Sequence, residues 1–230
     1  MLKSKELRAK AWESLEGKYW LAFAVCIVLG FLSSIGTSII NSSQNLVETI
    51  GMVDPAQMDE TMKIGGYVVM GGASVFLIIG ALLSIFVGSP ASIGLCNYFI
   101  KNTDSKPTFS DAFSGFKVRY GRNVGILLLV GVKTVLWTIL FIIPGIIKTY
   151  EYSIIPYILA DDAQISSKDA FKKAREMMKG NKWRLFKLDF SFIGWFALGI
   201  VTCGIGVFFL TPYMNAAMAE FYVELKNKQA

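Results

Sequence analysis

Apolar residues in this chain come in long blocks separated by short polar segments. They show neither the alternation of a half-buried strand nor the stripe of a soluble amphipathic helix. The blocks cover residues 20–40, 64–100, 124–160 and 188–222. A helix of roughly 20 apolar residues crosses a hydrocarbon core about 30 Å thick, so every block is long enough to span a membrane. The fold class that follows is all-α: a polytopic membrane helical bundle.

The third and fourth blocks are too long for one crossing and adequate for two. Pro144-Gly145 interrupts one, and Gly204-Ile205-Gly206 interrupts the other, with Pro212 beyond it. Charge decides how they divide. Residues 101–123 hold Lys101, Lys106, Lys117, Arg119 and Arg122, and residues 161–187 hold eight Lys or Arg against four acids. Residues 41–63 hold Glu48, Asp54, Asp59 and Glu60 against Lys63. Short loops rich in Lys and Arg stay in the cytoplasm. Six spans, arranged as three helical hairpins, put every basic segment on that side and the acidic one outside. Four spans would not. Both termini are then cytoplasmic. Residues 2–18 form a charged amphipathic helix, and the block after them is too long for a cleavable signal.

An internal repeat fits the same division. Lys10-Ala11-Trp12-Glu13-Ser14-Leu15-Glu16-Gly17-Lys18-Tyr19-Trp20 aligns with Lys173-Ala174-Arg175-Glu176-Met177-Met178-Lys179-Gly180-Asn181-Lys182-Trp183. A weaker copy covers residues 109–124, with Gly121 in the Gly17 position. The expected repeats are 1–101, 102–161 and 162–230, each an amphipathic interfacial helix followed by a hairpin. Gly17 and Gly180 would end those helices. Trp20 and Trp183 would anchor them at interface depth.

Composition agrees with a membrane environment. Hydrophobic residues make up 53% of the chain and charged residues 17%, below the roughly 25% charge of a soluble domain. The net charge of +6 lies in loops beside the spans, which suits anionic lipid headgroups at the cytoplasmic face and not nucleic acid. Cys26, Cys96 and Cys203 are scattered within apolar blocks, where a free thiol acts as a small hydrophobe, and there is no histidine. Clustered metal ligands, a phosphate-cradling glycine loop and nucleophile motifs are all missing from the sequence. No cofactor and no enzymatic activity are expected. Asp161-Asp162 could be imagined as a metal pair but is more simply a polar break before the next surface helix.

Some intramembrane residues stand apart. Gly30, Ser34 and Ser38, and again Gly80, Ser84 and Gly88, recur every fourth position, the spacing of close helix packing in lipid. They serve packing within the bundle, a homo-oligomer or a membrane protein partner. Lys133 falls midway along its block, where a charge is costly and marks pairing or function. Its candidate partners are Glu151 and Asp189, although Lys148 could pair with Glu151 instead. Asn97 is expected to bond backbone or a neighbouring helix. Pro90, Pro156 and Pro212 are candidate kinks.

The opening KELRAKAWESLEGKYW, the segment FIIPGIIKTYEYSIIPYILADD, and the block FKKAREMMKGNKWRLFKLDFSFIGW with the later GIG and TPY resemble a bacterial integral membrane family, Domain of Unknown Function 975. The resemblance implies a bacterial plasma-membrane protein without an agreed activity. More distantly the chain is similar to the membrane domain that accompanies some glycerophosphodiester phosphodiesterases, but it carries no catalytic domain of that kind. The function expected is a scaffold, assembly or regulatory module, with a small-solute or lipid transporter using Lys133 as the alternative.

Overall fold

The computed structural model describes residues 2–52, 59–117, 119–195, 202 and 204–229. Cys203, Asp54 and Pro55 lie outside the described residues. The described residues are all-α. In chain order they form α1 (Ser4–Leu15), α2 (Tyr19–Gly51), α3 (Glu60–Leu83), a π-helical turn (Ser84–Gly88) and α4 (Ser89–Asp104). A 3-10 turn (Phe109–Phe113) and the short α5 (Ser114–Lys117) lead into α6 (Tyr120–Leu140). Then come α7 (Ile142–Tyr152), α8 (Ile155–Asp161), α9 (Ser167–Met178), α10 (Lys182–Phe190) and α11 (Ile205–Gln229).

Three stretches among the described residues are long and apolar enough to cross a membrane: Tyr19–Gly51, Glu60–Asp104 and Tyr120–Leu140. They suggest a multi-pass membrane protein. The second half of the 124–160 block is not one long helix. It is divided into α7 and α8, of 11 and 7 residues.

The chain separates into two compact units, residues 1–29 with 90–230, and residues 30–89. In the larger unit α1 presents Leu7, Ala11 and Leu15 to α11, and α9 buries Ala170, Phe171, Ala174, Met177 and Met178. The apolar faces expected to lie in the headgroup layer are therefore spent on protein contacts. Around them the core gathers Tyr98 and Phe99 of α4, Ile155 and Ile158 of α8, and Phe221, Tyr222 and Leu225 of α11. Residues 109–117 can lie against α4 because Gly94 and Gly115 lack side chains. A Cβ on either would overlap the carbonyl of Ala112 or Pro90. Asn97 donates to Asp111 O at 3.2 Å and Ser114 Oγ at 2.9 Å, across the same contact.

α1 and α9 have the same length and end alike. Gly17 (φ +73°) and Gly180 (φ +77°) take the left-handed conformation just past the helix end, where glycine costs least. Lys18 N donates to Leu15 O at 2.9 Å, and Asn181 N to Met178 O at 3.1 Å. Residues 109–124, expected to hold a weaker copy, differ. Their left-handed residue is Arg119 (φ +45°), and Gly121 lies inside α6.

The prolines sit mostly where a missing N–H is harmless. Pro144 and Pro156 fall in the first turns of α7 and α8, whose donors have no intrahelical partner in any case. The break in the third block comes at Phe141, which is extended (φ −155°, ψ 128°), three residues before the expected Pro144. Pro90 is the second residue of α4, two positions past the π-helical turn, as expected where a proline disturbs a helical ladder. Pro212 lies inside α11.

The smaller unit pairs the second half of α2 with α3. Gly36 and Gly80 meet backbone to backbone: a Cβ on Gly36 would lie 2.5 Å from Gly80 O and closer still to Ser84, and one on Gly80 would lie 2.8 Å from Gly36 O. Hydroxyls on these helices turn back onto their own carbonyls, as Ser43 Oγ does to Ile39 O (2.8 Å) and Ser74 Oγ to Met70 O (2.9 Å). This suits a medium that offers no other partner.

Gly36→Ala should destabilise the α2–α3 pairing by about 1–3 kcal/mol through overpacking, while Gly30→Ala should stay within about 0.5 kcal/mol. Thermal unfolding in one lipid-like environment separates the two. Asp111 supplies a pH test outside the apolar blocks. Lys101 Nζ lies 2.6 Å from its carboxylate, and the Thr108 N–H and hydroxyl each donate at 2.8 Å. Lys101 first, then the Thr108 backbone, lower its pKa to about 2. The folded-state pKa is depressed, so the stabilisation is present above the ordinary carboxylate value near pH 4 and lost as pH falls through about 2. Asp111→Asn should flatten the loss of melting temperature between pH 4 and 2.

Candidate functional site

The most concentrated polar chemistry is built around Glu151, in the last turn of α7. Residues 124–160 contain only two charged groups before it, Lys133 and Lys148, so a carboxylate here draws further cations from elsewhere. The fold brings them. Glu151 is 3% exposed, with Lys148 Nζ at 2.7 Å from Oε1, Lys182 Nζ bonded to Oε2, and Arg175 Nε at 3.5 Å from Oε1. Lys148 comes from the preceding turn of α7, Arg175 from α9 and Lys182 from the first residue of α10. One buried carboxylate thus ties three helices.

Lys133 takes neither of its expected partners. Its Nζ lies 3.7 Å from the ring centroid of Phe171 on α9, a cation–π contact. Phe171 in turn meets Tyr152 edge-on at 5.3 Å. Lys148 also lies 5.7 Å from the rings of Trp137 and Tyr152. Four cations therefore gather near one acid, and aromatic faces hold part of the excess charge.

Asp189, on α10, and Tyr150, on α7, line the same cavity, of about 350 Å³, with Ile146, Thr149, Leu185 and Met218. A larger apolar groove, about 520 Å³, lies between Trp12, Tyr19, Trp195, Phe209 and Tyr213. Its wall is fixed by the Tyr19 hydroxyl donating to Phe209 O at 2.6 Å and by Phe23 stacked on Phe209 at 4.9 Å. Trp20 and Trp183 are 72% and 63% exposed, available to an interface. Gly30, Ser34 and Ser38 are exposed, and nothing lies within 4 Å of a Cβ on Gly30. Gly80 and Ser84 instead face Gly36, and Gly88 comes near Ser33.

Two further ion pairs brace the unit. Arg184 holds Glu224 at 2.8 Å and the Leu2 carbonyl at 2.7 Å. Asp161 accepts from Lys226 at 2.6 Å and from the Tyr222 hydroxyl at 3.1 Å, so this acid is occupied structurally. Among the described residues no group of His, Cys, Asp or Glu is placed to hold a metal.

Arg175, Lys182 and Phe171 were not singled out by sequence. The signal for them was indirect: an acid deep in an apolar block must find cations, and the nearest supply is the basic segment 161–187. Which of its eight cations turn inward depends on how α9 packs.

Residues 138–229 match the family described as Protein of unknown function (DUF975). The match takes in α7 to α11 and every member of the Glu151 cluster, with Lys133 outside it. No curated protein and no solved structure matches the chain. The more distant likeness to the membrane domain of glycerophosphodiester phosphodiesterases finds no support in these comparisons.

Glu151→Gln should lower stability by about 3 kcal/mol, the lower end of the cost of breaking a buried ion pair, because Lys148 and Lys182 keep partial access to solvent. Adding Lys182→Met should recover part of that loss. Melting curves of the single and double variants measure it.

Proposed function

We propose that this chain is a non-enzymatic module of the bacterial plasma membrane, a scaffold, assembly or regulatory partner. Three helical hairpins enter from the cytoplasmic side and return to it. The observation that carries the reading is the state of Glu151. The most buried acid of the DUF975-like region is saturated by three cations, which makes it a structural tie and leaves no free base or nucleophile at the cluster.

The hairpin arrangement draws on charge placement and on the repeat. Leu7, Ala11 and Leu15 on α1 correspond to Ala170, Ala174 and Met178 on α9, and all six are buried. The matching left-handed glycines and the exposed Trp20 and Trp183 support the same correspondence. Anionic headgroups are the natural neighbours of the exposed Lys and Arg on α9.

Transport or lipid handling is the second reading. The apolar groove beside Trp12 and Tyr213 favours it, as does the contact of Lys133 with a ring in place of an acid.

Reporter fusions after Lys106 and Gln164 and at the C-terminus should report cytoplasm, and one after Pro55 the exterior. An exterior signal after Gln164 would refute the hairpin arrangement. Mass spectrometry of the protein purified with its native lipids then separates the two functions. A stoichiometric protein partner is the expected result, whereas a stoichiometric lipid or solute lost in Lys133→Ala would favour transport.

A further inference from the structure

The α6–α7 hairpin has no polar residue at its turn. From Val135 to Ile147 the only polar side chain besides the Trp137 indole is Thr138, whose hydroxyl donates to Thr134 O at 2.9 Å. Ile139, Leu140, Phe141, Ile142 and Ile143 are 63–77% exposed. A tip of five consecutive exposed apolar side chains would be poorly solvated in exterior water.

The turn pairs part of its backbone. Phe141 N donates to Trp137 O at 3.0 Å and Phe141 O accepts from Gly145 N at 3.0 Å. Pro144 has no N–H to leave unmade. Gly145 lets the limbs close, since a Cβ there would lie 2.7 Å from Thr138 Cα. The N–H groups of Ile142 and Ile143 and the carbonyls of Thr138, Ile139 and Leu140 have no backbone partner at this turn, so it is the apolar side chains and the charge levels that speak for the depth of the tip.

Charge sets the depth. Lys133 lies eight residues before Phe141 and Lys148 seven after it. At 1.5 Å per residue these are about 12 and 10 Å from the tip, so two cations on opposite limbs stand at one level. The return limb offers only residues 142–147 before its first charge, about 9 Å of apolar helix, against a hydrocarbon core of about 30 Å. If the tip reached the far surface, Glu151 would sit near the middle of the bilayer. Arg175 and Lys182 would be drawn there from the basic segment, an excess of positive charge where charge is most costly.

We propose that α6–α7 is a re-entrant hairpin whose tip at Phe141 ends inside one leaflet, with Lys133, Lys148, Arg175 and Lys182 forming a cationic collar among the lipid headgroups. The hydrocarbon of that leaflet is the occupant of the exposed apolar tip. Leu128 and Leu129 lie about 6–8 Å below Lys133 along the helix, within the headgroup layer. That the leaflet is the cytoplasmic one rests on the orientation proposed above; the shallow depth of the tip does not. Fusions in the flanking loops report the same side for a crossing hairpin and a re-entrant one, so the tip itself must be probed.

The test uses Leu140→Cys, Ile142→Cys and Met52→Cys in the full chain, with the unsubstituted chain as background for its own thiols. An impermeant maleimide is applied to sealed right-side-out and inverted vesicles. Leu140→Cys and Ile142→Cys should stay unlabelled from both sides while Met52→Cys reacts from the exterior. Labelling of the tip from the exterior at the Met52 rate would overturn re-entry in favour of a full crossing. Labelling from the cytoplasmic face would show that the tip is not in the bilayer, and would also overturn it. Reaction of Met52→Cys only in inverted vesicles would overturn the orientation proposed under function while leaving the tip result intact. Hydroxyl-radical footprinting of the unsubstituted protein in lipid discs gives a second measurement. Residues 137–143 should be protected and Met52 oxidised; oxidation of Trp137 and Phe141 at the level of Met52 would refute the proposal.

Discussion

Burying one carboxylate among apolar helices imposes a demand that the second half of this protein is organised to meet. Glu151 sits on α7 with almost no solvent contact, and charge in such a place survives only with close partners. Lys148, Arg175 and Lys182 supply them from α7, α9 and α10. Those contacts draw the amphipathic α9 against the hairpin, which places Phe171 under the ammonium of Lys133. Arg184, one turn into α10, then joins Glu224 of α11, and α11 receives the apolar face of α1. The order of these links runs from one ion cluster to both ends of the larger unit.

A second constraint is the scarcity of partners for backbone and hydroxyl groups in an apolar medium. The structure answers it locally. Serines and threonines in α2, α3 and α6 bond to carbonyls of their own helices. Pro144 and Pro156 occupy first turns, and Phe141 keeps both of its own backbone groups bonded. Close packing does the rest, at Gly36 against Gly80 and at Gly145 against Thr138, where a single added methyl would collide with backbone. In lipid such contacts replace the hydrophobic drive that holds soluble cores together.

Much of this was legible before any coordinates. Block lengths alone point to membrane-length helices, because crossing hydrocarbon is a one-dimensional requirement on consecutive residues. Gly17 and Gly180 could be expected to end α1 and α9, since the need for a left-handed residue at a helix end is local. The pairing of Lys148 with Glu151 was one of the alternatives, since it needs only one helical turn. The partner of Lys133 was not legible. Phe171 is 38 residues away, and nothing in periodicity selects it over the acids.

The small-residue stripes show the same boundary. Every-fourth spacing picks out Gly30, Ser34 and Ser38 as readily as any other face, yet α2 meets α3 through Gly36. Sequence by itself determined the helical class, the ends of α1 and α9, and the charge asymmetry of the loops, because propensity, capping and hydropathy act between neighbours in the chain. Tertiary structure alone decided which face of each helix is spent on contact, which cations surround Glu151, and that the apolar sides of α1 and α9 turn inward. Those outcomes depend on the shape and charge of segments far away in sequence, and no local pattern contains them.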